Sequence, residues 1–180
     1  MMKKEVSISE AHRLINTGCV LLVTSAYKDK KNAMALAWQT PLSSKPLLVG
    51  IAVSKSHFTT ELINLGGEFV LNIPRPDLLE EVSQCGSVSG RELDKFKEIH
   101  ITPVPGKKVK APLIDECIGH IECKVINQYT VGDHIFFVGE VVAASARKDL
   151  FKDSQWTSDA RLLHHLGGNK YYTTGQIHTS

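Results

Sequence analysis

Between two apolar runs the chain places Ser54, Lys55, Ser56, His57, Phe58, Thr59 and Thr60 in succession. Hydroxyls, an ammonium and an imidazole gathered this closely suit an oxyanion, because all of them can donate hydrogen bonds and two can carry positive charge. The stretch that follows, ELINLGG, has Leu62, Ile63 and Leu65 at helical spacing and closes on glycine, so the spacing predicts a helix over residues 59–66 with Thr59 or Thr60 as its N-cap. A helix start presents unpaired N–H groups and the positive end of a dipole, which strengthens the case for phosphate. The residues are equally compatible with a plainer arrangement, in which Ser56 and Thr59 cap the helix while Lys55 and His57 stand in water.

A second polar group lies in GSVSGRELDKF, where Ser87, Ser89, Gly90, Arg91, Asp94 and Lys95 surround one permanently charged guanidinium. Taken alone it reads better as an exposed loop with an ordinary Asp94–Lys95 pair. Cys19, Cys85, Cys117 and Cys123 have neither zinc nor redox spacing and read as reduced core thiols. Cys85, in QCGSVSG, has no base beside it in sequence that would activate a thiolate. His164 and His165, read as part of a helical turn, point apart, so no shared metal is expected. No GxGxxG follows a strand, which removes a Rossmann-type dinucleotide site.

The elements that must position these groups read as mainly β. Ser7 to Glu10 has the form of a capping box before the stripe Ile8, Ala11, Leu14 and Ile15, with Gly18 as the stop of an N-terminal helix. Residues 19–27 form a strand, KDKK a turn, and residues 32–38 a second strand. In that second strand Ala33, Ala35 and Ala37 alternate with Met34, Leu36 and Trp38. The alanine face is shallow enough for a flat group to approach the backbone. Gln39 and Thr40 end the strand, Pro41 stops its pairing, and LSSKP turns the chain into the apolar strand Leu47 to Val53. Glu68 to Ile73 is another strand, ended by Pro74 and Pro76. A helix over residues 77–85 follows, with Asp77 in N-cap position.

Residues 99–112 carry too many prolines and basic residues for a central strand and predict a short edge strand with a surface excursion. Residues 119–130 and 134–143, joined by VGD, make the clearest hairpin. Six or seven strands joined mostly by hairpins predict an α+β, mainly β fold: an antiparallel split β-barrel with peripheral helices. The tail with Tyr171 and Tyr172 is expected to pack on this chain or on a second copy.

With 180 residues, 42% of them hydrophobic, and no linker-like stretch, residues 1–180 are expected to form one domain. A net charge of +2, spread through the chain, gives no footprint for nucleic acid. No apolar run reaches the roughly 18 residues that span a bilayer, so a soluble cytoplasmic protein with no membrane partner is expected.

The segments NAMALAWQTPLSSKP, SKSHFTTELI, GEFVLNIP, SGRELDKF, GDHIFFVGEV and HLGGNKYY, in this order, resemble the flavin reductase-like family with its FMN-binding split β-barrel, in particular the flavoredoxin type. The resemblance covers most of the chain. It implies a homodimer with one FMN per subunit, the ring along Ala37, Trp38, Gln39 and Thr40, and the phosphate at Ser54, Lys55, His57, Thr59 and Thr60. It also places Ser89, Gly90, Arg91 and Lys95 on the flavin or its phosphate. His57 stands where more distant flavin reductases often carry arginine or asparagine. Asp133 and His134 fall where the family has the nicotinamide side, which makes His134 the candidate catalytic residue, although a histidine at a hairpin tip is equally a turn residue. The implied activity is transfer of hydride from NADH or NADPH to FMN and onward to a redox partner protein or small acceptor. The alternative is a flavoredoxin-like electron-transfer protein with little NAD(P)H activity. Neither needs a metal.

Overall fold

The computed structural model describes residues 6–15, 17–176 and 178. Its centre is a seven-stranded antiparallel sheet built from β1 (Leu21–Tyr27), β2 (Lys30–Leu36), β3 (Gln39–Ser44), β4 (Leu47–Ser54), β5 (Glu68–Ile73), β8 (Gly119–Val131) and β9 (His134–Ala146). The short β6 (Pro103–Val104) and β7 (Leu113–Ile114) precede the last two of these. The spatial order is β2-β1-β5-β8-β9-β4-β3. The outermost strands β2 and β3 are consecutive in the chain and joined only through Ala37 and Trp38. The two edges are therefore held together at that corner, and the sheet must curl on itself. This is the antiparallel split barrel, mainly strand, that the hairpin pattern predicts.

β1 is buried on both faces. Leu21 and Val23 join Ile51, Phe69, Cys123 and Phe137 inside the barrel. Val20 and Leu22 pack outward against Val82, Cys85, Ile114 and Leu163. The outer layer consists of α2 (Leu79–Ser87), the short α3 (Lys95–Glu98) and the chain from Ile99 to Cys117, while α1 (Phe58–Gly66) sends Ile63 into the barrel cluster. Ala35 lets α2 come close: a Cβ at Gly86 would lie 3.4 Å from the Ala35 methyl. The shallow alanine face thus seats a helix as well as opening a cleft.

Several expectations need correction. β2 ends at Leu36, and Ala37 and Trp38 form a corner. Pro41 does not stop pairing, since it faces Val49 within β3 and the turn is confined to Lys45 and Pro46. β3 is an edge strand, where a missing N–H costs the ladder nothing. α1 begins at Phe58 with His57 as its N-cap residue, so Thr59 and Thr60 are buried in its first turn and do not cap it. Asp77 lies in a 3-10 turn, Pro76–Leu78, ahead of α2.

The chain from Ile99 to Pro112 is no mere surface excursion, because Ile99, Ile101, Val109 and Ala111 are buried. Its backbone is held by carboxylates: Glu122 accepts from the N–H groups of Lys107, Lys108 and Val109, and Glu68 from those of Lys110 and Ala111. The N-terminal segment is a 3-10 helix, Ile8–Leu14, that ends at Ile15 and leaves Ile8, Leu14 and Ile15 exposed. The Glu10 side chain, half of the expected capping box with Ser7, lies outside the described residues.

The two hairpins that complete the fold are β10 (Phe151–Lys152) with β11 (Gln155–Trp156), and β12 (Leu163–Gly167) with β13 (Lys170–Thr173). The tail packs on this chain: Val20 N–H donates to the Leu163 carbonyl at 2.7 Å, and Cys19 bridges to His164. His164 and His165 therefore lie on a strand and not on a helical turn, and they still point to opposite faces, stacking on Tyr172 and packing on Tyr171. Among the described residues no helix is long and apolar enough to cross a membrane.

Candidate functional site

A cleft of about 510 Å³ opens where the β2–β3 corner, the end of β4 and the β8–β9 turn meet, within the range of small-molecule sites. Its walls are apolar and aromatic: Met34, Leu36, Ala37, Trp38, Ala52 and Tyr171, with His57, His134 and His165 at the margins. A narrower cleft of about 280 Å³ continues from it and is polar, with Asn32, Ser56, Thr59, Ser87, Ser89 and Lys95 in its lining. Met34, Ala35, His57, Gly86 and Ser87 line both, so the two form one trough with a flat apolar end and a narrow polar end.

At the wide end Trp38 and His134 stack at 4.8 Å and 28°. Asp133 accepts a 2.7 Å hydrogen bond from His134 Nδ1, which fixes that nitrogen as the N–H of the ring. The same bond holds the exposed Asp133 carboxyl below its ordinary range. Lys55 does not turn into the trough: its Nζ donates to the Gly132 carbonyl at 2.6 Å and its N–H to that of Asp133. It therefore clamps the β8–β9 turn, and with it His134, to the end of β4. Gln39 donates to the Cys19 carbonyl, and the Thr40 hydroxyl donates to the Pro41 carbonyl at 3.1 Å. Neither lines the trough.

At the narrow end Asn32 Nδ2 donates to Thr59 Oγ1 at 2.9 Å, which leaves the Thr59 proton free to donate elsewhere. Asn32 Oδ1 is buried with no hydrogen-bond partner among the described residues. Gly90 is required here because a Cβ would come within 2.1 Å of that oxygen. The Thr60 hydroxyl is occupied by the Ser54 carbonyl at 2.7 Å, and Ser54 and Ser56 share a 3.0 Å hydroxyl contact. Arg91 donates to the Ser56 carbonyl at 2.8 Å, pairs with Glu61 at 3.2 Å and lies over the Phe58 ring. Its backbone N–H donates to Ser89 Oγ at 3.2 Å. Arg91 so ties the SGRELDKF segment to the start of α1 from outside the trough.

Lys95 is the largest departure from the sequence reading of this segment. It is 3% exposed, and its Nζ donates to the Ala33 carbonyl at 2.8 Å and the Cys85 carbonyl at 2.6 Å. Asp94 instead caps α3 and pairs with Lys97 at 3.4 Å. Burial pushes the Lys95 ammonium below its ordinary range. Burial also pushes the Cys85 thiol up to about 11, which leaves it a core thiol and no nucleophile at neutral pH.

Of the residues singled out in the sequence, the structure brings Ala37, Trp38, Ser54, His57, Thr59, Ser89, Gly90, Lys95 and His134 to the trough lining, and leaves Gln39, Thr40, Lys55, Thr60 and Arg91 outside it. Asn32, Ser87, His165 and Tyr171 line it without having been singled out as site residues. Asn32 had a signal, since asparagine is depleted in strand interiors and stands here among apolar and alanine neighbours.

A family profile described as flavin reductase like domain matches residues 13–173. An uncharacterised protein of Archaeoglobus fulgidus is 38% identical over 146 residues, which cover 81% of this chain and 82% of that protein. The flavoredoxin of Methanosarcina acetivorans superposes with a TM-score of 0.88 at 28% identity, covering 100% of this chain and 95% of its own. That of Desulfovibrio vulgaris (Miyazaki F) does so with a TM-score of 0.88 at 26% identity, covering 100% and 97%.

Proposed function

We propose, from the premise that the chain belongs to the flavin reductase-like family, that it binds FMN in the trough and takes hydride from a nicotinamide dinucleotide. The observation that carries this reading is the shape and chemistry of the trough, apolar and flat at one end, narrow and rich in donors at the other. The residues fit the cofactor. The orphaned Asn32 oxygen suits a hydroxyl of a sugar-alcohol chain, and the free Thr59 proton, His57 and the start of α1 suit a phosphate.

FMN, when bound, supplies the electron sink, so the protein need provide only a site, an orientation and tuning hydrogen bonds. Trp38 and His134 would border a nicotinamide at the wide end, Asp133 holds the His134 tautomer, and Lys55 holds both on their turn. The relatedness to two flavoredoxins supports flavin binding as well.

The purified protein should be yellow and release FMN on denaturation. Mixed anaerobically with NADH or NADPH, its flavin should bleach at rates in the ordinary enzymatic range, on the order of 1 per second or faster. Bleaching slower than about one per minute with both donors would instead favour a carrier reduced by another protein.

The homodimer belongs to the same reading. The tail no longer argues for it, since it docks on its own chain, but Ile126, Tyr129 and Val131 stand exposed on the outer half of β8. Light scattering is expected to give the mass of two chains. A monomer that retains full FMN affinity would sink the dimer.

A further inference from the structure

Beside the wide end of the trough lies a separate annex of about 210 Å³, lined by His12, Arg13, His165, Leu166, Gly167 and Gly168. It opens against the main cleft, with which it shares His165 and Gly168. Among the described residues the lining holds three nitrogenous side chains and no carboxylate. Arg13, on the Ile8–Leu14 helix, has no ion pair or hydrogen bond among the described residues. Its guanidinium lies against the β12–β13 turn, with Nη1 3.6 Å from where a Cβ would stand at Gly167, whose φ of +116° only glycine adopts without strain.

His165 Nε2 and the Gly168 carbonyl lie 3.0 Å apart, and because a carbonyl only accepts, that nitrogen is the donor. His12 meets the edge of Trp38 at 5.9 Å, so the annex reaches the aromatic pair at the cleft mouth.

We propose that this annex takes the 2′-phosphate of NADPH and makes NADPH, not NADH, the preferred reductant. The inference deepens the reductase reading and rests on it. The volume of about 210 Å³ accommodates a phosphate monoester. A pyrophosphate lies in the middle of a dinucleotide and needs chain leaving on both sides. A phosphate monoester is terminal and fits a small side pocket. It is also dianionic near neutral pH, whereas NADH carries at that position a neutral hydroxyl, which gives an unpaired guanidinium no charge to meet.

Calorimetric titration of the FMN-loaded protein with adenosine 2′,5′-bisphosphate and with adenosine 5′-monophosphate tests the annex without any hydride transfer. The bisphosphate is expected to bind at least about tenfold more tightly, and Arg13→Ala to remove that difference without altering FMN content. Equal affinities of the wild type for the two nucleotides would overturn the proposal. So would an equal loss for both nucleotides in Arg13→Ala, which would move the arginine to the 5′-phosphate. A preserved preference for the bisphosphate in a protein whose flavin neither dinucleotide bleaches would keep the annex and discard the reductase reading.

Discussion

Riboflavin is expected to bind at least about 100-fold more weakly than FMN, a difference of about 2.7 kcal/mol. The narrow end of the trough offers the phosphate several donors at once: the Thr59 hydroxyl, His57, and the N–H groups that open α1. Charge-assisted hydrogen bonds contribute about 1.5–3 kcal/mol each, so two of them suffice for the expected gap. The quenching of Trp38, which lines the wide end, gives the binding signal for both ligands.

Thr59→Val keeps the side-chain shape and removes the hydroxyl. It should cost stability by leaving Asn32 Nδ2 without its acceptor, and should cut the FMN-to-riboflavin ratio by about tenfold. A ratio near one in the wild type would move the phosphate out of this cleft.

His57 adds a pH dependence whose sign follows from its surroundings. Partial burial, and then the positive charges of His134, Lys95 and Arg91, hold its imidazolium below the ordinary histidine range. A dianion placed beside it favours the protonated ring, so the complex binds more protons than the free protein. FMN affinity should therefore rise as pH falls toward 6.5, the ordinary histidine value below which the free ring is held, until protonation of the phosphate itself near pH 6 opposes it. Riboflavin should show no such slope, and His57→Gln should flatten that of FMN.

The parts of the fold legible in the sequence were those whose cause is local. The β8–β9 hairpin, the β1–β2 hairpin and the helix closed by Gly67 each follow from a period of two or 3.6 bounded by turn residues. The errors arose where a residue's meaning depends on what lies across from it. Pro41 reads as a breaker unless β3 is known to be an edge. The prolines and lysines of residues 99–112 read as surface until Glu68 and Glu122, on β5 and β8, are seen to take their N–H groups.

The site divides in the same way. The hydroxyl-rich run before α1 reads from sequence as a candidate oxyanion site, yet within it Thr60 and Lys55 spend their donors on the carbonyls of Ser54 and Gly132. Nothing in a list of residues distinguishes a free donor from an occupied one. Tyr171 and His165 reach the cleft only because β12 bridges to Cys19, a pairing between residues some 145 positions apart that no local period encodes.

Lys95→Met should lower the melting temperature by roughly 6–12 °C, corresponding to about 3 kcal/mol in a chain of this size. The ammonium joins the Ala33 carbonyl on β2 to the Cys85 carbonyl on α2, the two walls of the narrow cleft. Leaving two buried carbonyls without a donor costs about 1–3 kcal/mol each, while removing a buried charge returns part of its desolvation cost, so the net lies below the sum. Lys97→Met is the matched control: its pair with Asp94 is exposed, and the change should stay within about 0.5 kcal/mol. Equal melting temperatures for the two variants would show that the buried tie contributes nothing. An ammonium has three protons, and two are committed to carbonyls. Lys95 also lines the cleft, so the third is available to a ligand phosphate. Titrated well below its melting temperature, Lys95→Met should therefore bind FMN at least about tenfold more weakly, with riboflavin affected far less. A parallel loss for both ligands would assign Lys95 to the shape of the cleft alone, and the phosphate would then be held without it.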